Sequence, residues 1–274
     1  MLFGIMRIGF YQFNPKLGNI ACNLRRIEET LSTVKNLDLI VLPELCNSGY
    51  NFRNRKEALR LSEPVPQGPT TQSWIKLCRK KNFYLVAGIN EFERDKIYNS
   101  VVLVSPQGYI GKFRKLHLFL NEKKYFQPGN LGLPVFKIKG VKIGILICFD
   151  WQFPEAWRIL ALKGAQIICH PSNLIIPELS FRALQGHALV NRVFVVTANR
   201  IGAERGLKFI GNSTIWNTKG EVLAQASPNK EEIKIVEIEP NQAKLKQATP
   251  LNHIFQDMRI RYPRRLLSDK PVRF

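Results

Sequence analysis

No apolar run in the sequence approaches the ~20 residues that a membrane-spanning helix needs. The most apolar stretch, 141–149 (VKIGILICF), has the length of a strand. There is no C-x-x-C pair, and the five cysteines (Cys22, Cys46, Cys78, Cys148 and Cys169) are odd in number and scattered. That spacing argues against a zinc site and against a disulfide framework. Low-complexity segments and long linkers are also missing. Acidic residues are scarce, with 21 Asp and Glu against 41 Lys and Arg, which gives a net charge of +20. Such an excess can mark a nucleic-acid-binding protein. Here the basic residues form only small clusters, at 53–56, 79–81, 112–115 and 259–265, with no helix-turn-helix, RNP or Gly/Arg repeat among them. A solvated basic surface is the simpler reading, and the nucleic-acid binder is retained as the non-enzyme alternative.

What is present fits a globular α/β chain. The 274 residues are 45% apolar, enough for one large core, and a single domain over 1–274 is expected. The opening MLFGIMRIGF has its basic residue inside the apolar run and no small-residue cleavage site after it. It reads as a first core strand of a cytoplasmic protein.

The order of elements repeats. The first half reads as strand Met6–Gln12, helix 23–35, strand 38–43, helix 72–81, strand 83–90 and hairpin 100–105/109–113. The second half reads as strand 141–147, helix 154–163, strand 166–170, helix 181–191, strand 193–199 and hairpin 213–217/221–225. Single residues echo too: Arg7-Ile8-Gly9 matches Lys142-Ile143-Gly144, DLIVLP at 38–43 matches QIICHP at 166–171, and Asn99-Ser100 and Asn212-Ser213 open the two hairpins. Near-continuous apolar strands imply sheets covered on both faces. The prediction is a four-layer α-β-β-α sandwich with an internal pseudo-two-fold repeat, a doubly wound single sheet being the alternative. The tail from about 241 carries the basic run Arg261-Tyr262-Pro263-Arg264-Arg265 and should form an arm on the body or on a neighbour.

Three segments place reactive groups at predicted strand ends. In Leu42-Pro43-Glu44, Pro43 ends the ladder and leaves an acid just past a buried strand, where desolvation can raise its pKa; a polar residue opening a loop would look the same. Lys115 follows the first hairpin and precedes an apolar stretch, so it is either a buried cation or part of a solvated basic turn. Cys148 ends an apolar strand, with Asp150 and Pro154 reading as helix-start residues; it is either a core thiol or a nucleophile whose thiolate a following helix would favour.

Taken together, these segments resemble the nitrilase superfamily of carbon–nitrogen hydrolases, with similarity from about Met6 to Glu239 and most evident toward small prokaryotic members, including archaeal nitrilases and aliphatic amidases. The resemblance is carried by LPEL around Glu44, GYIGKFRKLHLF around Lys115, ICFDWQFPE around Cys148, and KGAQIICHPSN. It implies the same sandwich fold and a Glu44-Lys115-Cys148 triad, with a second glutamate at Glu122. The Phe149 backbone N–H would join Lys115 in an oxyanion hole, and Tyr50, Phe119, Trp151 and Asn173 would lie near the substrate. The expected reaction is hydrolysis of a non-peptide carbon–nitrogen bond in a small linear amide through a cysteine thioester, releasing ammonia or an amine and needing no metal or cofactor. The alternatives are a nitrilase, an N-carbamoyl-amine hydrolase, or a Cys–His hydrolase pairing Cys148 with His117, His170 or His187. Family members commonly assemble, so at least a homodimer is expected.

Overall fold

The computed structural model describes residues 4–259 and Tyr262. In chain order the main strands are β1 (Met6–Gln12), β2 (Leu39–Val41), β3 (Tyr84–Glu93), β4 (Lys96–Ser105), β5 (Gly108–Arg114), β6 (Val135–Ile138), β7 (Val141–Ile145), β8 (Ile167–Ser172), β9 (Phe194–Asn199), β10 (Thr214–Trp216), β11 (Val222–Gln225) and β12 (Glu232–Ile238). The helices are α1 (Ile20–Thr33), α2 (Arg55–Arg60), α3 (Pro69–Lys81), α4 (Pro154–Leu162) and α5 (Leu179–Asn191). One sheet runs β12-β1-β2-β3-β4-β5, with the short strand Glu63–Pro64 alongside β3; the other runs β11-β10-β9-β8-β7-β6.

The two sheets share one topology. In each, three parallel strands (β1, β2, β3 and β7, β8, β9) are followed by two antiparallel ones, and a further antiparallel strand, β12 or β6, flanks the first. The sequence echo is therefore a structural repeat.

Alternation along the strands builds the layers. Leu39 and Val41 share one core with Ile8, Phe10, Val86, Val101 and Phe113 of their own sheet and Ile143, Ile145, Ile167 and Cys169 of the other. Ile40 and Leu42, one residue out of step, pack with Leu85 against Ile27 and Leu31 of α1 and Trp74 and Leu77 of α3. On the far side, Leu160 of α4 and Leu184 and Ala188 of α5 cover the second sheet. The layers are helices, sheet, sheet, helices, as expected, and the single doubly wound sheet is excluded. Burying each large aliphatic or aromatic side chain contributes roughly 1.5–3 kcal/mol, which is what allows charged groups to be held inside.

Two details differ from the sequence reading. Asn99 does not open a hairpin: β4 starts at Lys96, so Asn99 lies inside it, opposite Asn90 of β3. Cys148 is followed not by an α-helix but by a 3₁₀ turn, Cys148–Gln152, which contains Asp150, and α4 begins only at Pro154. The arm packs on the body as far as it is described: Lys246 donates to the carbonyls of Asn191 and Arg192 at the end of α5, and Gln166 donates to Pro240. Of the basic run at 261–265, all but Tyr262 lies outside the described residues.

Candidate active site

Glu44 stands just past β2, where Pro43 has ended the ladder. The backbone there presses so close to Gly88 of β3 that a Cβ at 88 would lie 2.3 Å from the Leu45 nitrogen and 2.5 Å from the Glu44 Cα. Lys115 directly follows β5, and its N–H donates to the Asn99 carbonyl at 2.8 Å. Glu122 sits in a 3₁₀ turn, Leu120–Lys124. All three side chains are buried, and Lys115 Nζ lies 2.7 Å from both Glu44 Oε1 and Glu122 Oε1.

Removing an ion from water costs several kcal/mol unless partners compensate. Burial alone would push the Lys115 pKa down, but the Glu122 and Glu44 carboxylates outweigh it and hold the ammonium above its ordinary range. Two carboxylates against one ammonium leave an excess negative charge. Burial, opposed by Lys115 and reinforced by Glu44, pushes the Glu122 carboxyl up. The Tyr50 hydroxyl faces Glu122, and burial with the nearby Glu122, Glu44 and Cys148 charges drives its pKa up as well.

Cys148 is electrostatically coupled to Glu44, Lys115 and Glu122. Its thiol pKa is raised, by burial first and by Glu44 second; Lys115, and the Asn173 N–H that donates to the sulfur, work the other way. The expected thiolate-favouring helix is therefore not what governs this cysteine. The resting thiol keeps its proton, and a base is needed to remove it. Cys46, Cys78 and Cys169 are buried thiols with no such neighbours, also raised by burial.

Cys148 has φ 42°, a left-handed backbone that a non-glycine residue adopts only when its surroundings enforce it. Buried polar groups supply the enforcement. His170 Nε2 donates to the Cys148 carbonyl at 2.8 Å, His187 Nε2 to the Trp151 carbonyl at 2.9 Å, and Trp157 Nε1 to the Asp150 carbonyl at 3.1 Å. Asp150 accepts from the Ile147 N–H at 2.9 Å and from His117 Nδ1 at 2.7 Å. None of the three imidazoles that could have formed a Cys–His pair bonds the thiol; they hold the turn that carries it. Burial holds the His170 pKa down to about 3, so the ring is neutral and its Nδ1 accepts from Thr197 Oγ1. These braces were not read from the sequence, because His170 and His187 bond main-chain carbonyls that no residue type announces, and Asp150, the partner of His117, lies 33 residues away.

A cavity of about 10 Å³ opens beside the thiol, lined by Phe119, Cys148, Phe149, Trp151, Asn173, Leu174, Ile175 and Ile176. The structure thus brings Phe119, Trp151 and Asn173 to the cavity, whereas Tyr50 stands outside its lining, against Glu122. Leu174, Ile175 and Ile176 were not anticipated. Asn173 Nδ2 is fixed on the Glu44 carbonyl at 3.1 Å, while its Oδ1, like Glu44 Oε2, is buried without a partner. Two arginines have their own partners elsewhere: Arg182 pairs with exposed Glu178, and buried Arg200 pairs with Glu204, which in turn accepts from the Tyr50 N–H. Among the described residues no cluster of His, Cys, Asp and Glu could hold a metal ion, and no helix is long and apolar enough to cross a membrane.

Known proteins share this arrangement of chain. A nitrilase of Pyrococcus abyssi (strain GE5 / Orsay) is 44% identical over 260 residues, covering 94% of this chain and 99% of its own. An (R)-stereoselective amidase of a Pseudomonas species is 33% identical over 244 residues, covering 87% of each. The crystal structure of a carbon-nitrogen hydrolase from Helicobacter pylori G27 superposes with a TM-score of 0.84 at 26% identity, covering 93% of this chain and 96% of that one. The sequence model of the carbon-nitrogen hydrolase family matches residues 7–247, and the chain belongs to that family of hydrolytic enzymes, within the nitrilase superfamily.

Proposed function

We propose that the protein hydrolyses small linear carboxamides through a thioester on Cys148. The carrying observation is the buried Glu44–Lys115–Glu122 ion cluster electrostatically coupled to a protonated thiol. Glu44 takes the Cys148 proton as sulfur attacks the carbonyl carbon. The oxyanion is stabilised by the Lys115 ammonium and the Phe149 N–H, which lies in the first turn of a 3₁₀ segment, where backbone donors have no partner within the turn. Glu44 then passes the proton to the leaving nitrogen, the carbon–nitrogen bond breaks, and ammonia or an amine departs. Water donates a proton to Glu44, attacks the thioester and releases the acid, and the proton returns to sulfur. Glu122 holds Lys115 in place.

An amide, rather than a nitrile, is supported by two of the unpaired buried acceptors, Glu44 Oε2 and Asn173 Oδ1. A carboxamide nitrogen brings hydrogens to such acceptors and a nitrile nitrogen brings none. The small apolar cavity favours a short acyl group. A nitrilase remains the second reading, favoured by the name of the Pyrococcus relative. Ammonia release from short amides, the matching nitriles and carbamoyl amines tests this: amides should turn over fastest, and Cys148→Ala should abolish the reaction, by roughly 10⁴-fold or more, in a protein of unchanged circular dichroism. Faster release from nitriles would reverse the preference, and an active Cys148→Ala would end the mechanism.

A cytoplasmic setting is supported by five free cysteines. A homodimer or larger homo-oligomer is supported by exposed Leu189 and Val190 on α5 and Val222 and Leu223 on the edge strand β11. Light scattering that finds only monomer would remove that assembly.

A further inference from the structure

Glu44 handles a proton in each half of the reaction, and a carboxylate has two oxygens that could carry it. Their surroundings differ. Oε1 accepts from Lys115 Nζ at 2.7 Å and from Asn99 Nδ2 at 2.6 Å. Oε2 is equally buried and has no partner. Asn99 is itself buried, and its carbonyl accepts the Lys115 N–H at 2.8 Å. One residue therefore grips Glu44 through its side chain and Lys115 through its main chain, across 55 and 16 residues of sequence respectively. The pairing follows from the sheet: Ser100 is opposite Arg114, so Asn99 and Lys115 are the next residues along the two neighbouring strands.

We propose that Asn99 is a positioning residue that divides the work between the two Glu44 oxygens. Oε1, held by two donors, anchors the carboxylate and fixes its rotation. Oε2 is thereby left as the atom that takes the proton from Cys148 Sγ, gives it to the leaving nitrogen, takes one from water and returns it to sulfur. This inference rests on the role given to Glu44 in the proposed reaction.

The test replaces Asn99 with leucine, close in size but without a donor, and in parallel with alanine, so that a folded variant is chosen by thermal melting. Two readouts are followed: amide turnover, and the pH dependence of Cys148 alkylation by iodoacetamide, resolved residue by residue by mass spectrometry because Cys22 is partly exposed. In the folded variant kcat should fall by about a hundredfold with KM little changed, as expected for a misplaced reacting group. The acid limb of Cys148 alkylation should move to higher pH by about one unit, the loss of one hydrogen bond to a charged group. A folded variant whose alkylation profile overlays the unchanged protein would overturn the inference, leaving Asn99 a packing residue. Alkylation needs no substrate, so it decides the role of Asn99 even if no amide proves to be turned over, an outcome that would count against the proposed reaction instead.

Discussion

Arg114 and Lys115 are neighbours in the chain, both buried and both bound to carboxylates, yet their surroundings are opposites. Around Arg114 every demand is met. The guanidinium grips both oxygens of Glu91, at 3.0 Å from Oε2 and 2.5 Å from Oε1, lies over the Tyr98 ring at 3.8 Å and reaches Asn130, while Lys112 and Ser100 complete Glu91. Around Lys115 the bonding is incomplete: Glu44 keeps an unpaired oxygen, Asn173 keeps another, and the Cys148 thiol keeps its proton. A saturated ion cluster has nothing left to offer a ligand and serves the fold. An unsaturated one is stable only because the surrounding core holds it, and it has acceptors waiting for a substrate.

Replacing each cation by methionine would sharpen that contrast. Lys115→Met should lower amide turnover by roughly 10²–10³-fold, since it removes the proposed oxyanion donor. Arg114→Met should act chiefly on stability, by about 3–5 kcal/mol, because it strands Glu91 without its main partner, and turnover per folded molecule should survive. Urea unfolding alongside kinetics on both variants checks the pair; equal loss of turnover in both would erase the distinction.

A smaller effect should appear with pH. His170 is held at about 3 in the folded state against 6.5 as its ordinary value, so between those limits the unfolded chain binds a proton that the folded one refuses. Its contribution is complete above pH 6.5 and is lost as the pH falls toward 3. Melting curves across that window should show the loss, and His170→Gln should flatten it; parallel slopes would mean that other groups carry the dependence. Smallest of all, Arg182→Ala removes an ion pair whose two side chains are each 75% exposed, and it should change stability by less than about 0.5 kcal/mol. A larger change in urea midpoint would show that exposed pairs matter here after all.

Much of this was legible in the sequence. Glu44 could be found because Pro43 marks the end of a strand, and Cys148 because an apolar run stops at it. The sandwich could be anticipated because Lys142-Ile143-Gly144 repeats Arg7-Ile8-Gly9 with the same elements following. The repeat also shows how the halves diverged: by the offsets of that echo, Phe13 stands where Cys148 does, and Ser172 where Glu44 does. Other features left no local trace. Asn99 reads as a break in an apolar run, and its partner is 55 residues away. The edge strands β6 and β12 were missed because half-exposed strands lose the apolar continuity that marked the central ones. The protonated state of Cys148 depends on burial and on Glu44, neither of which adjacent residues encode.

The empty place at Gly88 has a consequence of its own. A methyl group there would strike the main chain of the segment bearing Glu44, with no flexible tip able to yield. Position 88 therefore acts as a distance gauge between β3 and Glu44. An alanine at this one spot, remote from the sulfur in sequence and chemically inert, should disable the enzyme by displacing an arm rather than by deleting a reactive group, and for anyone reshaping the pocket it is the residue to leave alone.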